Sequence, residues 1–203
     1  MIIVLIDNGH GVDTLGKFSP DRRLYEYKWA REMAGKVVQS LVSRGVDARL
    51  IVPETKDISI TERARRVNAV CDRYGAKNVL LVSIHNNAAG GDGKWHSAKG
   101  FSVFCSKNAS SRSKLCASFF TDEAERRDLL GNRSVPKERF WTWSWTKSDI
   151  GILKKTKCPA VLTENLFQDN EEDVNFLLAE DGKDDLCDLH VQAILSYIDS
   201  QKI

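Results

Sequence analysis

Ile2-Ile3-Val4-Leu5-Ile6-Asp7-Asn8-Gly9-His10-Gly11 is the stretch whose reading decides the fold. Five consecutive β-branched or aliphatic residues without polar alternation describe a strand buried on both faces, as in a parallel sheet covered by helices. The run ends at Asp7, and glycines on either side of His10 turn the backbone sharply. The turn leaves an imidazole at the carboxyl edge of the sheet, where open α/β folds place their ligands.

Outward from this stretch the same pattern returns twice. Residues 78–84 form a second buried strand, followed at once by His85-Asn86-Asn87, and residues 158–163 form a third that ends on Glu164. Residues 24–44 carry Tyr27, Ala30, Val37, Val38 and Leu41 at helical spacing, and Gly45 stops them. A strand over 46–52 follows, then a helix over 61–74 opened by Thr61 and closed by Gly75. Residues 88–99, with Gly90, Gly91 and Gly93, read as a flexible loop beside the second histidine. A strand over 100–105 and helices over 110–130, 170–178 and 184–197 complete the alternation. With no repeat and no linker, the pattern predicts a single α/β domain spanning residues 1–203.

Composition bounds the function. A chain of 203 residues, 42% hydrophobic and 29% charged, is long enough to bury a sizeable core. A net charge of +2, from 30 basic and 28 acidic residues, gives no electrostatic case for a nucleic-acid partner. Cys71, Cys105, Cys116, Cys158 and Cys187 are odd in number and irregular in spacing, which fits buried free thiols better than a disulfide framework. Met1 runs straight into the first strand, and no apolar stretch reaches the length of a membrane span, so neither a signal peptide nor a membrane anchor is expected.

If the first two strands are neighbours, His10 and His85 share one sheet edge, and Glu164 joins them there. Zinc in hydrolases favours two histidines and a carboxylate, with a fourth position left for water. Glu26, 16 residues after His10 in the first turn of the first helix, is the best third ligand, and Glu32 and Glu54 are the fallbacks. Its bland alternative is an exposed glutamate favoured by the helix dipole. Asp7 either orients His10 or only ends the strand. His96, beside Trp95 in the glycine loop, is a substrate contact or a solvated loop residue. His190 and Cys187 on the last helix read as packing. Trp141, Trp143 and Trp145 alternate with small polar residues, so in a strand their indoles form either an aromatic platform for substrate or a core-facing edge.

Asp7-Asn8-Gly9-His10-Gly11, Glu26 after Leu24-Tyr25, Ser83-Ile84-His85-Asn86-Asn87-Ala88 and Pro159-Ala160-Val161-Leu162-Thr163-Glu164 together resemble the zinc-dependent N-acetylmuramoyl-L-alanine amidases of cell-wall lysis. The likeness covers nearly the whole chain. It implies a mostly parallel, twisted sheet between helices, a Zn2+ ion on His10, Glu26 and His85, and Glu164 as the catalytic carboxylate. It implies hydrolysis of the amide between N-acetylmuramic acid and L-alanine, with peptidoglycan as partner; Asn87, Trp95, His96, Trp143 and Asn165 are the candidate substrate-binding residues, and a monomer is expected. Arg63, Asn68, Gly100 and residues 150–153 agree with the family pattern. The family usually has proline where Asn8 stands, glycine where Val12 stands, and a small residue then Gly-Phe where this chain has Asn165-Leu166-Phe167. The rival readings are a zinc carboxypeptidase or other metal deacylase, with Arg63, Lys94 or Arg139 for a terminal carboxylate, and a non-catalytic wall-binding module. A wall substrate lies outside the cytoplasm; a lysin released through a membrane pore, removal of a leader and an unusual export route all fit.

Overall fold

The computed structural model describes residues 1–132 and 150–202, so Arg139 and the tryptophan stretch of Trp141, Trp143 and Trp145 lie outside the described residues. Strands β1 (Ile3–Asn8), β2 (Ala48–Leu50), β3 (Val79–Asn87), β4 (Ser102–Phe104) and β5 (Ala160–Phe167) form one sheet in the order β2-β1-β3-β5-β4. Every pairing is parallel except that of β4 with β5 at the edge. Helices α1 (Glu26–Ser43), α2 (Ile60–Tyr74), α3 (Ser111–Arg126), α4 (Gly151–Lys155), α5 (Glu171–Leu178) and α6 (Glu180–Ser200) cover its two faces.

The alternation of side chains along a strand divides the core in two. Val4 and Ile6 of β1, Leu80, Val82 and Ile84 of β3, and Val161 of β5 pack against α1, α3 and α6 through Met33, Val37, Phe120, Leu189 and Tyr197. Ile3 and Leu5, Val79 and Leu81, and Ala160 and Leu162 pack against α2 and α4 through Val67, Cys71, Ile152 and Leu153. The same period of two carries Asp7, Ser83, His85 and Glu164 towards the α2 face and Thr163 towards α6. Register does the rest: Asp7 lies across from Ser83, and His85 from Glu164.

Two elements run further than the residue pattern predicts. β3 continues through His85 to Asn87, and β5 through Glu164 to Phe167, because the polar residues that end each apolar run are themselves buried or half-buried and stay paired. Helix α2 is capped by Ser59, whose hydroxyl accepts from the Glu62 amide at 3.2 Å, rather than opened by Thr61. The short α4 has no counterpart in the sequence reading. All five cysteines are free, four of them buried. Among the described residues, no helix is long and apolar enough to cross a membrane.

His190 packs as expected. It is fully buried beneath the sheet, with Nδ1 2.8 Å from the Leu186 carbonyl and Nε2 3.0 Å from the Thr163 hydroxyl. Burial pushes its imidazole down to about 4, against the ordinary 6.5. With the folded value depressed, the unfolded chain takes the proton first. The stabilisation is therefore complete above about pH 6.5 and is lost as pH falls towards 4, an effect of about 3 kcal/mol in all. Urea unfolding at pH 7 and pH 5 should show an acid loss in the wild type that is smaller in His190→Asn.

Candidate metal centre

Three segments meet at the carboxyl edge of β1 and β3. The first is the turn after β1. His10 adopts φ 61°, a left-handed conformation that costs a non-glycine residue about 1 kcal/mol or more. Arg63 of α2 holds it there: its guanidinium donates to Asp7 Oδ1 at 2.6 Å, to the Asn8 carbonyl at 2.6 Å, to the His10 carbonyl at 3.3 Å and to Asp57 Oδ1 at 2.9 Å. Its Nε also donates to the Ile58 carbonyl at 2.6 Å. Asp7 thus does not touch the His10 ring. It accepts from Arg63 and, at 2.5 Å, from the Ser83 hydroxyl, tying α2, β1 and β3 together.

The second segment is the start of α1. Phe18 bridges Tyr25 in antiparallel fashion, and the Glu26 amide donates to the Lys17 carbonyl at 3.0 Å, so a small hairpin delivers Glu26 as the first residue of the helix. Glu26 has no exposed surface. Its Oε1 lies 3.0 Å from His85 Nδ1 and 3.3 Å from His10 Nε2, and accepts from the Asn86 amide at 3.1 Å. Burial pushes this carboxyl up, but the two imidazoles outweigh it and hold the group far below the usual carboxylate range. Lys17, which nothing in its sequence surroundings singles out, brings Nζ to 3.9 Å from Glu26 Oε2.

The third segment is β3 itself. The His85 ring stands edge-on to that of His10, with centroids 5.0 Å apart and an interplanar angle of 86°. Burial pulls the His85 imidazole down, but Glu26 beside it more than compensates and leaves it above the ordinary value. A side chain on Gly9 would meet this ring, because an added Cβ would sit 2.5 Å from Nδ1 and 2.8 Å from Nε2. Across the sheet, Glu164 is pushed up to about 7, by burial first, with His85 opposing and Glu26 adding.

The residues fit a metal ion. One ligand atom from each of His10, Glu26 and His85 lies within 4.8 Å of the others, the only such trio among the described residues. The two shorter separations approach the about 3.4 Å expected between tetrahedral zinc ligands. Glu26 Oε2 and Glu164 Oε2 are buried without a hydrogen-bond partner, two orphaned acceptors that a cation and a water would satisfy.

The remaining candidates sit at different depths. Asn165 is fully buried and donates to the His85 carbonyl at 2.9 Å and to the Thr163 hydroxyl at 3.1 Å, which steadies the strand carrying His85. Asn87 is buried, and its Oδ1 accepts from the Ala88 amide. His96 is built into the glycine loop, bonded to Asp92 Oδ1 at 2.9 Å, with its amide on the Asp169 carbonyl. Trp95 beside it is exposed. Glu54 is taken up by Arg66, and Glu32 by Lys183, so neither joins the trio.

The sequence profile of the N-acetylmuramoyl-L-alanine amidase family matches residues 4–196. The chain is similar to an endolysin of Bacillus phage SPP1, 28% identical over 203 residues that cover 98% of this chain and 67% of the phage protein. It is similar in structure to an N-acetylmuramoyl-L-alanine amidase from Clostridium difficile 630, 27% identical, with a TM-score of 0.77 and coverage of 98% of this chain and 97% of that one. The fold is also that of the catalytic domain of CwlV from Bacillus (Paenibacillus) polymyxa var. colistinus, with a TM-score of 0.77, 24% identity and coverage of 98% and 99%.

Because Gly9 is where the two imidazoles close on each other, Gly9→Ala should weaken metal binding by about 10- to 100-fold, as loss of a supporting contact does elsewhere. Competition against a chromophoric chelator would measure this, with the far-UV spectrum of the variant unchanged.

Proposed function

The chain belongs to the N-acetylmuramoyl-L-alanine amidase family and hydrolyses peptidoglycan; we propose that it does so with zinc held by His10, Glu26 and His85 and with Glu164 moving the protons. The observation that carries this reading is the buried Glu26 carboxylate between two imidazoles, with Glu164 in register across from His85. The bond cleaved is the amide joining the lactyl group of N-acetylmuramic acid to the L-alanine of the stem peptide. When bound, zinc supplies Lewis acidity, which polarises the scissile carbonyl and lowers the pKa of the attacking water.

The chain's own residues supply the rest. Glu164 takes the proton of the attacking water at its carboxylate and delivers it to the alanine nitrogen as the C–N bond breaks, since an amine anion leaves poorly. A carboxyl held near neutrality is suited to both halves of that transfer. Lys17 places a positive charge beside the buried carboxylates and, with Arg63, keeps the site from accumulating net negative charge. Arg63 is buried and taken up by Asp7, Asp57 and three backbone carbonyls, so it is no receptor for a terminal carboxylate. We place the site of action in the cell wall, with a monomer as the acting form.

Glu164→Gln should keep a full zinc complement and lose turnover by about a thousandfold or more, the scale of general acid–base catalysis; full activity would remove Glu164 from the mechanism. His10→Ala should lose the metal, measured by elemental analysis after dialysis. Mass spectrometry of muropeptide digests should show stem peptides beginning with L-alanine, abolished by chelation and restored by zinc. Loss of only a terminal residue would instead indicate a carboxypeptidase.

A further inference from the structure

Beside the metal centre, a cavity of about 300 Å³ opens between the loop before α1 and the glycine loop after β3. Its walls continue the segments that build the site: Phe18 lies between His10 and Glu26, Ala88 follows His85 by three residues, and Gln168 follows Glu164 by four. At about 3.3 Å per residue, the wall at Ala88 stands about 10 Å from the ligand His85.

The chemistry of these walls is cationic. Arg22, held at φ 61° with its guanidinium 5.0 Å from the Phe18 ring centroid, and Lys94 both line the cavity. Among the described residues, neither has a carboxylate within ion-pair distance. Asp169 also lines the cavity, but its carboxylate is engaged by the loop, accepting from the Ala89 amide at 2.8 Å and the Gly90 amide at 2.9 Å. Gln168 is 3% exposed, its amide bonds the Asn87 carbonyl at 2.8 Å, and its side-chain Oε1 has no partner. A buried acceptor left unpaired costs about 1–3 kcal/mol, so its retention at the cavity wall points to a ligand that carries an N–H or O–H donor as well as a negative charge.

We infer that this cavity is a subsite for a free carboxylate on the second or third residue of the stem peptide. The inference rests on the amidase reading and extends it to specificity. The glycan offers no such charge next to the scissile amide, whereas a stem extended from that amide reaches about 4 to 10 Å at its second and third residues. Arg22 and Lys94 would meet the carboxylate, Gln168 Oε1 would accept from a peptide N–H of the stem, and Phe18 would cover the adjoining aliphatic chain.

The test compares two muramoyl tripeptides, one with the carboxylates of residues two and three free and one with both amidated. Zinc-loaded wild type should cleave the acid with kcat/KM about tenfold above the amide, the factor that about 1.4 kcal/mol of charge-assisted contact supplies. Arg22→Gln combined with Lys94→Gln, both at exposed positions, should erase that preference through a higher KM on the acid. Gln168→Leu should raise KM on both substrates alike, because the N–H it accepts from is common to them. Equal cleavage of the two substrates by wild type, or an equal loss on both in the Arg22 and Lys94 double variant, would overturn the subsite while leaving the amidase intact. Failure of zinc-loaded wild type to release a stem peptide from either substrate would overturn both.

Discussion

A carboxylate with no exposed surface is costly unless cations or donors surround it, and Glu26 is such a group. Its surroundings explain much of the architecture. Two imidazoles must approach the same oxygen, so one comes from the turn after β1 and the other from β3, its hydrogen-bonded neighbour in the sheet. The Asn86 amide, freed by the irregularity at the end of β3, supplies the remaining donor. A cation at this point converts an unfavourable burial into a binding site, which is why the metal reading and the fold stand together.

The pair of Arg63 and Asp7 is the mechanical support behind that arrangement. Both side chains are nearly inaccessible, and breaking such a pair from one side typically costs about 3–5 kcal/mol. Its location gives it a role beyond stability. Three backbone carbonyls on the same guanidinium fix a turn in which His10 occupies a conformation it would otherwise avoid. The placement of the His10 imidazole is thus set from α2, an element that contributes no member of the His10, Glu26 and His85 trio.

Much of this was legible in the sequence because strands buried on both faces leave uninterrupted apolar runs, and the polar residues just beyond them mark the sheet edge. His10, His85 and Glu164 stood out for that reason, and Glu26 through its place in the first helical turn. What composition could not convey was pairing: that β3 and β5 continue past His85 and Glu164, and that β5 carries one more residue than β3 between these positions and Phe167. That extra residue brings Leu166 to φ 61°, at the position where the family usually has glycine, and the cost is offset by burying its side chain in the core. Asn8, in place of the usual proline, is buried with neither amide atom bonded, a departure for which the surroundings offer no compensating contact. Arg22 and Gln168 carry no sequence signal at all, since a loop arginine and a glutamine after a strand become significant only when two distant loops face each other.

The sheet order also governs when the centre comes into being. Its middle strands, β1, β3 and β5, are all parallel, so each contact between them waits for a long crossover to close. Glu164 stands on the last of these strands, and α6 follows it to seal the core beneath Thr163. During synthesis β5 must therefore leave the ribosome before Glu164 can take its position opposite His85. Until β5 has docked, His85 has no carboxylate across from it, so the order of synthesis is also the order in which the site is assembled.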